Sequence, residues 1–179
     1  MVKAIEIRPL AQDDDRSNFS CGQADLDRFF EHYAGQNQFR LNLAVTFVAV
    51  VEARVVGFAT VAASSIERST LPSLRLRRRL PCYPLPVLRL ARLGVDLRVQ
   101  GQGLGTALLR HVLTLALEQR DRLGCIGVVA DVKPAAEGFY QALGFVPLED
   151  VREGLLHAEP RPMFLAMGTL AADPLRFRS

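Results

Sequence analysis

The sequence predicts a single α+β domain, and three features of the chain support this class. The hydrophobic pattern switches repeatedly between the two-residue period of strands and the roughly 3.6-residue period of helices. The length of 179 residues suits one domain that buries its own core. Because no shift in composition marks a second domain, we assign residues 1–179 to one domain, with 168–179 as a C-terminal extension.

The first half of the chain contains three strand signals and one helix signal. Residues 3–9 alternate as a short strand, and residues 24–37 carry a helical apolar face through Leu26, Phe29, Phe30 and Tyr33. Residues 44–52 and 55–63 are rich in β-branched and aromatic residues, and the short break between them predicts a hairpin. Four prolines between residues 69 and 86 predict mostly loop, with a helical turn near Leu74.

The second half alternates strands with helices whose ends are marked by glycine or proline. A strand over 87–97 leads to a helix from about Leu104 to Leu123, which ends at Gly124. After the buried-type strand 125–131, Pro134 begins a second helix that Gly144 ends. Two further strands are predicted at 145–146 and 162–167.

A nearly neutral total charge conceals one strongly basic segment. The net charge is +3, and the 22 basic residues comprise two lysines and 20 arginines. Residues 68–98 hold eight arginines against the single acid Asp96, so this segment carries +7 and the rest of the chain −4.

Several protein classes do not fit the sequence. The uncharged apolar run over residues 41–51 is well short of the ~20 residues that a membrane-spanning helix needs. The N-terminus turns acidic without an apolar segment, unlike a signal peptide. Three widely spaced cysteines and three isolated histidines favour a cytoplasmic protein with reduced thiols and no metal site.

The strongest functional signal is a strand that runs through a glycine cluster into a helix. Gly101, Gly103 and Gly105 let a ligand approach the backbone closely, and the helix that follows presents free N–H groups. This arrangement favours a phosphate-bearing ligand over a glycine-rich helix entry that binds nothing. A P-loop is excluded because Ala107 stands where its lysine belongs, and the third Rossmann glycine is replaced by Thr106.

Two motifs together resemble the GNAT superfamily of acetyl-CoA-dependent N-acetyltransferases. Gln100, Gly103 and Gly105 satisfy its Q/R-x-x-G-x-G/A pattern, and residues 139–145 (FYQALGF) supply the second half. The resemblance implies a central mixed, mostly antiparallel sheet flanked by helices, with acetyl-CoA as co-substrate and no metal. It also implies that the backbone of Leu93, Gly94 and Val95 holds the pantetheine arm and stabilises the oxyanion.

The same resemblance implies roles for the residues of the glycine loop and for one tyrosine. Pyrophosphate would lie on the N–H groups of the loop, with Gln100 beside it. The cofactor-binding loop residues are Gln100, Gly101, Gln102, Gly103, Leu104, Gly105 and Thr106. Tyr140 is the candidate general acid that protonates the departing thiolate, although outside this motif it would be assigned to the core.

A narrower resemblance, over about residues 15–167, is to the GNAT toxins of bacterial toxin–antitoxin pairs. It rests on residues 19–22 (FSCG), Leu26-Asp27, Asn37-Gln38, residues 46–48, and the arginine–proline segment leading into residues 90–96. Such toxins often carry alanine where Gly94 stands. The resemblance implies that the acceptor is the α-amino group of aminoacyl-tRNA, that translation is inhibited, and that a ribbon-helix-helix antitoxin is a partner. It leaves open whether the chain forms a homodimer.

The basic segment and the missing general base both bear on the acceptor. We predict RNA contacts from Arg75, Arg77, Arg78, Arg79 and Arg89, because arginine suits phosphate and base contacts. A solvated charged face and a site for the 3′-phosphate of coenzyme A are the simpler alternatives.

No general base stands out in the sequence. This is compatible with an α-amino group as acceptor, because its pKa is near ~7.7 and part of it is already neutral at pH 7.

Three other functions remain open from the sequence. The chain could be a GNAT enzyme for a small amine or a protein N-terminus, or a catalytically silent module that binds acetyl-CoA. Retention of Gln100, Gly103, Gly105 and Tyr140 argues against the silent module. A DNA-binding factor is the least supported alternative, because no helix-turn-helix pattern occurs.

Overall fold

The computed structural model describes residues 4–148 and 160–173. Contacts group the chain into two compact units, which we describe separately. The first unit comprises residues 1–62 and 90–112, and the second comprises residues 63–89 and 113–179. The assignment of the whole chain to one domain stays a prediction.

The described residues contain seven strands and five α-helices. The strands are β1 (Glu6–Pro9), β2 (Val45–Val51), β3 (Arg54–Ile66), β4 (Leu85–Val95), β5 (Gly127–Val132), β6 (Val146–Pro147) and β7 (Arg161–Ala166). The α-helices are α1 (Ala24–Arg28), α2 (Leu74–Arg79), α3 (Leu104–Arg122), α4 (Glu137–Ala142) and α5 (Met167–Ala172). The strands hydrogen-bond in the order β1-β2-β3-β4-β5-β7-β6. This sheet with its helices confirms the predicted fold class.

The first unit is built on the antiparallel strands β1, β2 and β3 and an aromatic cluster. Val48 pairs with Arg8 on one side and with Phe58 on the other. The fully buried Phe58 ring stacks on Phe30 at 4.3 Å and meets Phe19 edge-on at 5.5 Å. Close aromatic packing of this kind fixes the ring positions and so limits how β3 can move.

The second unit is built on β5, β7 and β6, which pair antiparallel. Val129 lies opposite Phe164, and both are buried with Leu71 and Leu85. The helix α5 follows β7 directly and buries Met167 and Leu170. The segment that we assigned to a C-terminal extension therefore begins inside the packed structure, and its residues 174–179 lie outside the described residues.

The basic segment contains more helix than its prolines predict. The expected loop over 69–86 holds the six-residue helix α2, whose first turn is capped by the Ser73 hydroxyl accepting from the Leu76 N–H at 3.2 Å. Prolines flank α2 and do not interrupt it, because the prolines at 72 and 81 lie outside its bounds. Across the described residues, no helix is long and apolar enough to span a membrane.

Candidate acetyl-transfer site

The glycine loop has the geometry of an anion cradle. Gly101 and Gly103 adopt φ of +76° and +82°, a conformation that L side chains rarely adopt. A Cβ at either position would meet no atom within 4 Å, so the space in front of the loop is open. The first helical bond of α3 runs from the Ala107 N–H to the Gly103 carbonyl, which places the amides of residues 104–106 ahead of it. This geometry is compatible with a bound pyrophosphate, and the assignment of these residues to the cofactor stays a prediction.

The Gln100 side chain is committed to the protein and does not extend freely beside the loop. Its Nε2 donates to the carbonyls of Val95 at 2.9 Å and Cys21 at 3.1 Å. Both bonds fix the end of β4 against the turn before α1. Gln100 therefore positions the loop, and its place beside the pyrophosphate stays a prediction.

Asp96 also holds the end of β4 in place, at the point where the glycine loop begins. Its buried carboxylate accepts from Arg98 Nε at 2.7 Å, Arg98 Nη2 at 2.6 Å and the Arg98 backbone N–H at 3.0 Å. The hydrogen bonds from the Arg98 side chain hold the pKa of this carboxyl below its ordinary value, and burial opposes them. The Asp96 N–H donates to Val56 on β3, so the start of the glycine loop is fixed to the sheet.

Near the C-terminal end of β4, glycines on β4 and on β3 face closely packed atoms. A Cβ on Gly94 would lie 2.8 Å from Phe58 Cε1, and a Cβ on Gly57 would lie 3.3 Å from the Gly94 carbonyl oxygen. Phe58 occupies the volume that an alanine methyl would need. The glycine that departs from the usual toxin alanine thus has a packing reason in this chain.

Tyr140 lies on α4 in the second unit, and its side chain is buried. Its ring meets Phe139 and Phe145 edge-on at 5.2 and 5.3 Å. Burial raises the pKa of Tyr140 well above its ordinary value, and the negative charge of Asp131 raises it further. The phenol is therefore protonated at physiological pH, as a general acid must be before it acts.

Comparison with known families decides the class to which this fold and this loop belong. Residues 42–147 match the family model described as an acetyltransferase (GNAT) domain. The chain belongs to the GNAT acetyltransferase family. The predicted family is confirmed, and the matched segment includes β4, the glycine loop and Tyr140.

Within the GNAT family, the chain is similar to toxins. It is 33% identical over 139 residues to a tRNA-acetylating toxin of Mycobacterium tuberculosis, covering 77% of this chain and 82% of the relative. The solved structure of AtaT complexed with acetyl-methionyl-tRNAfMet has a TM-score of 0.83 and 25% identity, covering 94% of this chain and 98% of that one. The structure of AtaTR bound with AcCoA has a TM-score of 0.75 and 28% identity, covering 98% and 99%.

The arginines of α2 in this GNAT protein divide into two groups. Arg75, Arg78 and Arg79 are exposed. Arg77 is half-buried, and its Nε donates to the Leu71 carbonyl, while Arg68 Nη1 donates to the Leu80 carbonyl at 3.0 Å. Arg77 therefore ties α2 to the segment before it, and Arg68 binds the residue that ends it. Three of the four clustered arginines present their charge to solvent.

Arg89, the fifth predicted RNA contact, is engaged within the second unit. Its Nη1 donates to Asp131 Oδ1 at 2.5 Å, and its Nε donates to the Ser64 hydroxyl at 3.4 Å. The ion pair is half-buried. Arg89 thus links three strands of this unit, because Ser64 is on β3 and Asp131 is on β5.

The structure also brings together residues that the sequence reasoning did not select. Asp25, Arg28, Phe29, Tyr33, Asn37 and Arg92 line a pocket of about 360 Å³. Tyr33 was expected on the apolar face of its helix, but 49% of its surface is exposed. Residues 25, 29, 33 and 37 are each four apart, and this spacing is the signal in the sequence that could have indicated the pocket. Residues four apart drift around a regular α-helix of about 3.6 residues per turn, so the assumption of such a helix hides the signal.

Proposed function

We propose that this GNAT enzyme transfers an acetyl group from acetyl-CoA to the α-amino group of aminoacyl-tRNA, and thereby acts as a cytoplasmic toxin that inhibits translation. The observation that carries the choice of acceptor is the outward orientation of Arg75, Arg78 and Arg79 on α2. A cluster of exposed arginines favours a polyanionic acceptor and disfavours a polyamine. The similarity to a tRNA-acetylating toxin supports the same choice.

The donor half of the proposal rests on the glycine loop and β4. The amides of residues 101–106 bind the pyrophosphate, and the open space at Gly101 and Gly103 admits it. Bound acetyl-CoA supplies the acetyl group as a thioester. The backbone of residues 93–95 holds the reacting end of the donor, and an N–H of β4 stabilises the oxyanion that forms when the amine attacks.

Tyr140 completes the reaction as general acid. The acceptor amine forms a C–N bond with the acetyl carbon, the C–S bond breaks, and the leaving thiolate takes the Tyr140 proton. The amine loses one proton to solvent, and that proton restores the phenol, so charge and atoms balance. The raised pKa of Tyr140 keeps its proton in place until the thiolate forms.

A ribbon-helix-helix antitoxin is part of the same proposal, and so is a possible homodimer. A protein that inhibits translation must be neutralised in the cell that makes it. We propose that the gene for this partner lies next to the gene for this chain.

The test uses labelled acetyl-CoA with three acceptors: charged tRNA, deacylated tRNA and spermine. We expect label on charged tRNA alone. The Tyr140→Phe variant should lower kcat by about 10² to 10⁴-fold, because it removes one positioned proton donor while it keeps the buried ring. Label on spermine with none on charged tRNA would overturn the proposal, and unchanged kcat in Tyr140→Phe would remove the role of the phenol.

A further inference from the structure

A turn over residues 18–22 holds the segment that leads into the glycine loop. The Ser20 carbonyl accepts from the Leu97 N–H at 2.9 Å. The Cys21 carbonyl accepts from Gln100 Nε2 at 3.1 Å, and a third carbonyl of the turn accepts from a guanidinium of the same segment at 3.1 Å. The turn and the segment both belong to the first unit. Because the loop glycines follow the segment directly, the position of the turn sets where the loop begins.

The turn also packs closely against the aromatic cluster and against the segment that it holds. At its start, Phe19 is buried and meets Phe30 edge-on at 4.9 Å. At its end, a Cβ on Gly22 would lie 3.1 Å from Leu97 Cδ2, and the φ of Gly22 is +86°. Glycine therefore allows the two chain segments to approach each other. Such a close fit means that a shift of the turn is passed on to the segment.

Asp27 on α1 fixes Ser20 and Cys21, the two residues of the turn whose carbonyls bind Leu97 and Gln100. Its Oδ1 accepts from the Cys21 N–H at 2.8 Å, and its Oδ2 accepts from the Ser20 hydroxyl at 2.9 Å. Hydrogen bonds to a carboxylate are stronger than those between neutral groups. Hydrogen bonds therefore connect α1 through the turn to the segment before the glycine loop, and Asp27 lies at the start of this connection.

The turn contacts this segment nearer to the glycine loop than β3 does. The Asp96 N–H donates to the Val56 carbonyl on β3 at 2.9 Å, at the end of β4. Gln100, which the turn binds, directly precedes Gly101. Loss of the anchor at Asp27 would therefore leave β4 in place and release the residues just before the loop. Its effect should fall on the pyrophosphate of the donor and spare the thioester end.

We propose that Asp27 is a positioning residue for the acetyl donor, acting through the turn on the loop amides that bind the pyrophosphate. Without the carboxylate, the turn loosens and the amides of residues 101–106 lose their common direction. A misplacement of about 1 Å in a binding group can cost about 10²-fold in rate, even when the substituted residue is remote. The proposal rests on the place that the proposed function gives to the pyrophosphate, at the glycine loop.

The first measurement is the affinity for coenzyme A, determined by isothermal titration calorimetry. Asp27→Ala should raise the Kd for coenzyme A by about 5- to 100-fold. Asp27→Asn should recover part of this loss, because its amide oxygen still accepts from the Cys21 N–H.

The matched control is Asp15→Ala. Asp15 Oδ1 accepts from the Ser17 N–H at 3.0 Å and from the Ser17 hydroxyl at 2.7 Å. The variant therefore removes the same two kinds of hydrogen bond as Asp27→Ala, but not from the turn over residues 18–22. It should leave the Kd for coenzyme A unchanged, and a loss as large as that in Asp27→Ala would overturn the proposal.

The second measurement separates positioning from a general loss of structure. Acetyl-pantetheine carries the same thioester as acetyl-CoA and lacks the pyrophosphate. With charged tRNA as acceptor, Asp27→Ala should lower kcat/KM for acetyl-CoA, mainly by raising KM, and leave kcat/KM for acetyl-pantetheine unchanged. Equal losses with both donors would overturn the proposal.

The calorimetric measurement involves no acceptor, so it distinguishes this proposal from the proposed function. If Asp27→Ala binds coenzyme A as tightly as the wild type, the positioning role is wrong while acetylation of charged tRNA can stand. If the wild type acetylates spermine and not charged tRNA, the proposed acceptor is wrong, and a raised Kd for coenzyme A in Asp27→Ala still supports the positioning role.

Discussion

The strand β4 with its glycine loop and the helix α2 serve the proposed reaction through opposite physical means. The donor strand is fixed by contacts in which a single methyl group or hydrogen bond matters, as at Gly94 and Asp96. The helix α2 presents three exposed arginines whose effect depends on charge and on exposure. We therefore expect substitutions in the first region to act through geometry and stability, and substitutions in the second to act through the ionic strength of the solution.

The largest expected effect is on the salt dependence of tRNA binding. Replacing Arg75, Arg78 and Arg79 together by alanine removes three phosphate contacts, so the slope of log affinity against log salt should flatten by roughly 2 to 3. Between 50 and 200 mM salt, affinity of the wild type should fall about 40-fold more than that of the variant. Filter binding with charged tRNA measures both.

The matched control for this variant changes the total charge equally. Arg40, Arg54 and Arg122 are also exposed, and their triple alanine variant lowers the net charge by the same three units. It should retain the wild-type slope. Equal flattening in both triple variants would show that total charge acts and that α2 is no specific interface.

A smaller effect is expected from Gly94→Ala on β4. The new methyl group would displace Phe58, which is fully buried and stacked on Phe30, so we expect about 1 to 3 kcal/mol of destabilisation. Urea unfolding measures this, and Gly138→Ala, whose methyl would meet nothing within 4 Å, is the control. Adding Phe58→Leu should recover part of the loss, and strict additivity of the two changes would contradict the proposed clash.

The smallest effect concerns Asp96 and pH. The pKa of this carboxyl is lower in the folded protein than in the unfolded chain, where it is about 4. The ionised carboxylate therefore stabilises the fold at pH values above about 4. This stabilisation is lost as the pH falls from about 4 through the folded pKa. Asp96→Asn should therefore cost about 1 to 2 kcal/mol at pH 7 and progressively less towards pH 3. A cost that stays constant over this range, measured by thermal unfolding, would contradict the assigned ion pair.

The sequence predicted the elements whose signals are local. Switches of hydrophobic period indicated the order of strands and helices, and the glycines before α3 indicated an anion cradle that the backbone angles support. The FYQALGF motif identified Tyr140 as a candidate acid, but its burial and the nearby charge of Asp131 depend on tertiary structure.

The sequence did not predict the features that depend on the direction in which side chains and backbone turns face. Four clustered arginines look alike in the sequence, yet Arg77 turns inward to the Leu71 carbonyl. Arg89, the further predicted RNA contact on β4, pairs with Asp131. The prolines around α2 concealed a helix that Ser73 caps. The pocket at Tyr33 depends on π-helical turns, which no residue pattern of an ordinary α-helix indicates.

One measurement tests the central claim, acetylation of the amino acid on charged tRNA, most directly. Charged tRNA is incubated with acetyl-CoA and the protein, then cut with a ribonuclease that cleaves after pyrimidines, and the released terminal adenosine is analysed by mass spectrometry. We expect aminoacyl-adenosine to gain the mass of one acetyl group, and to gain nothing with Tyr140→Phe over the same short time. An acetyl group found elsewhere on the RNA, or unmodified aminoacyl-adenosine with the wild-type protein, would contradict the proposed function.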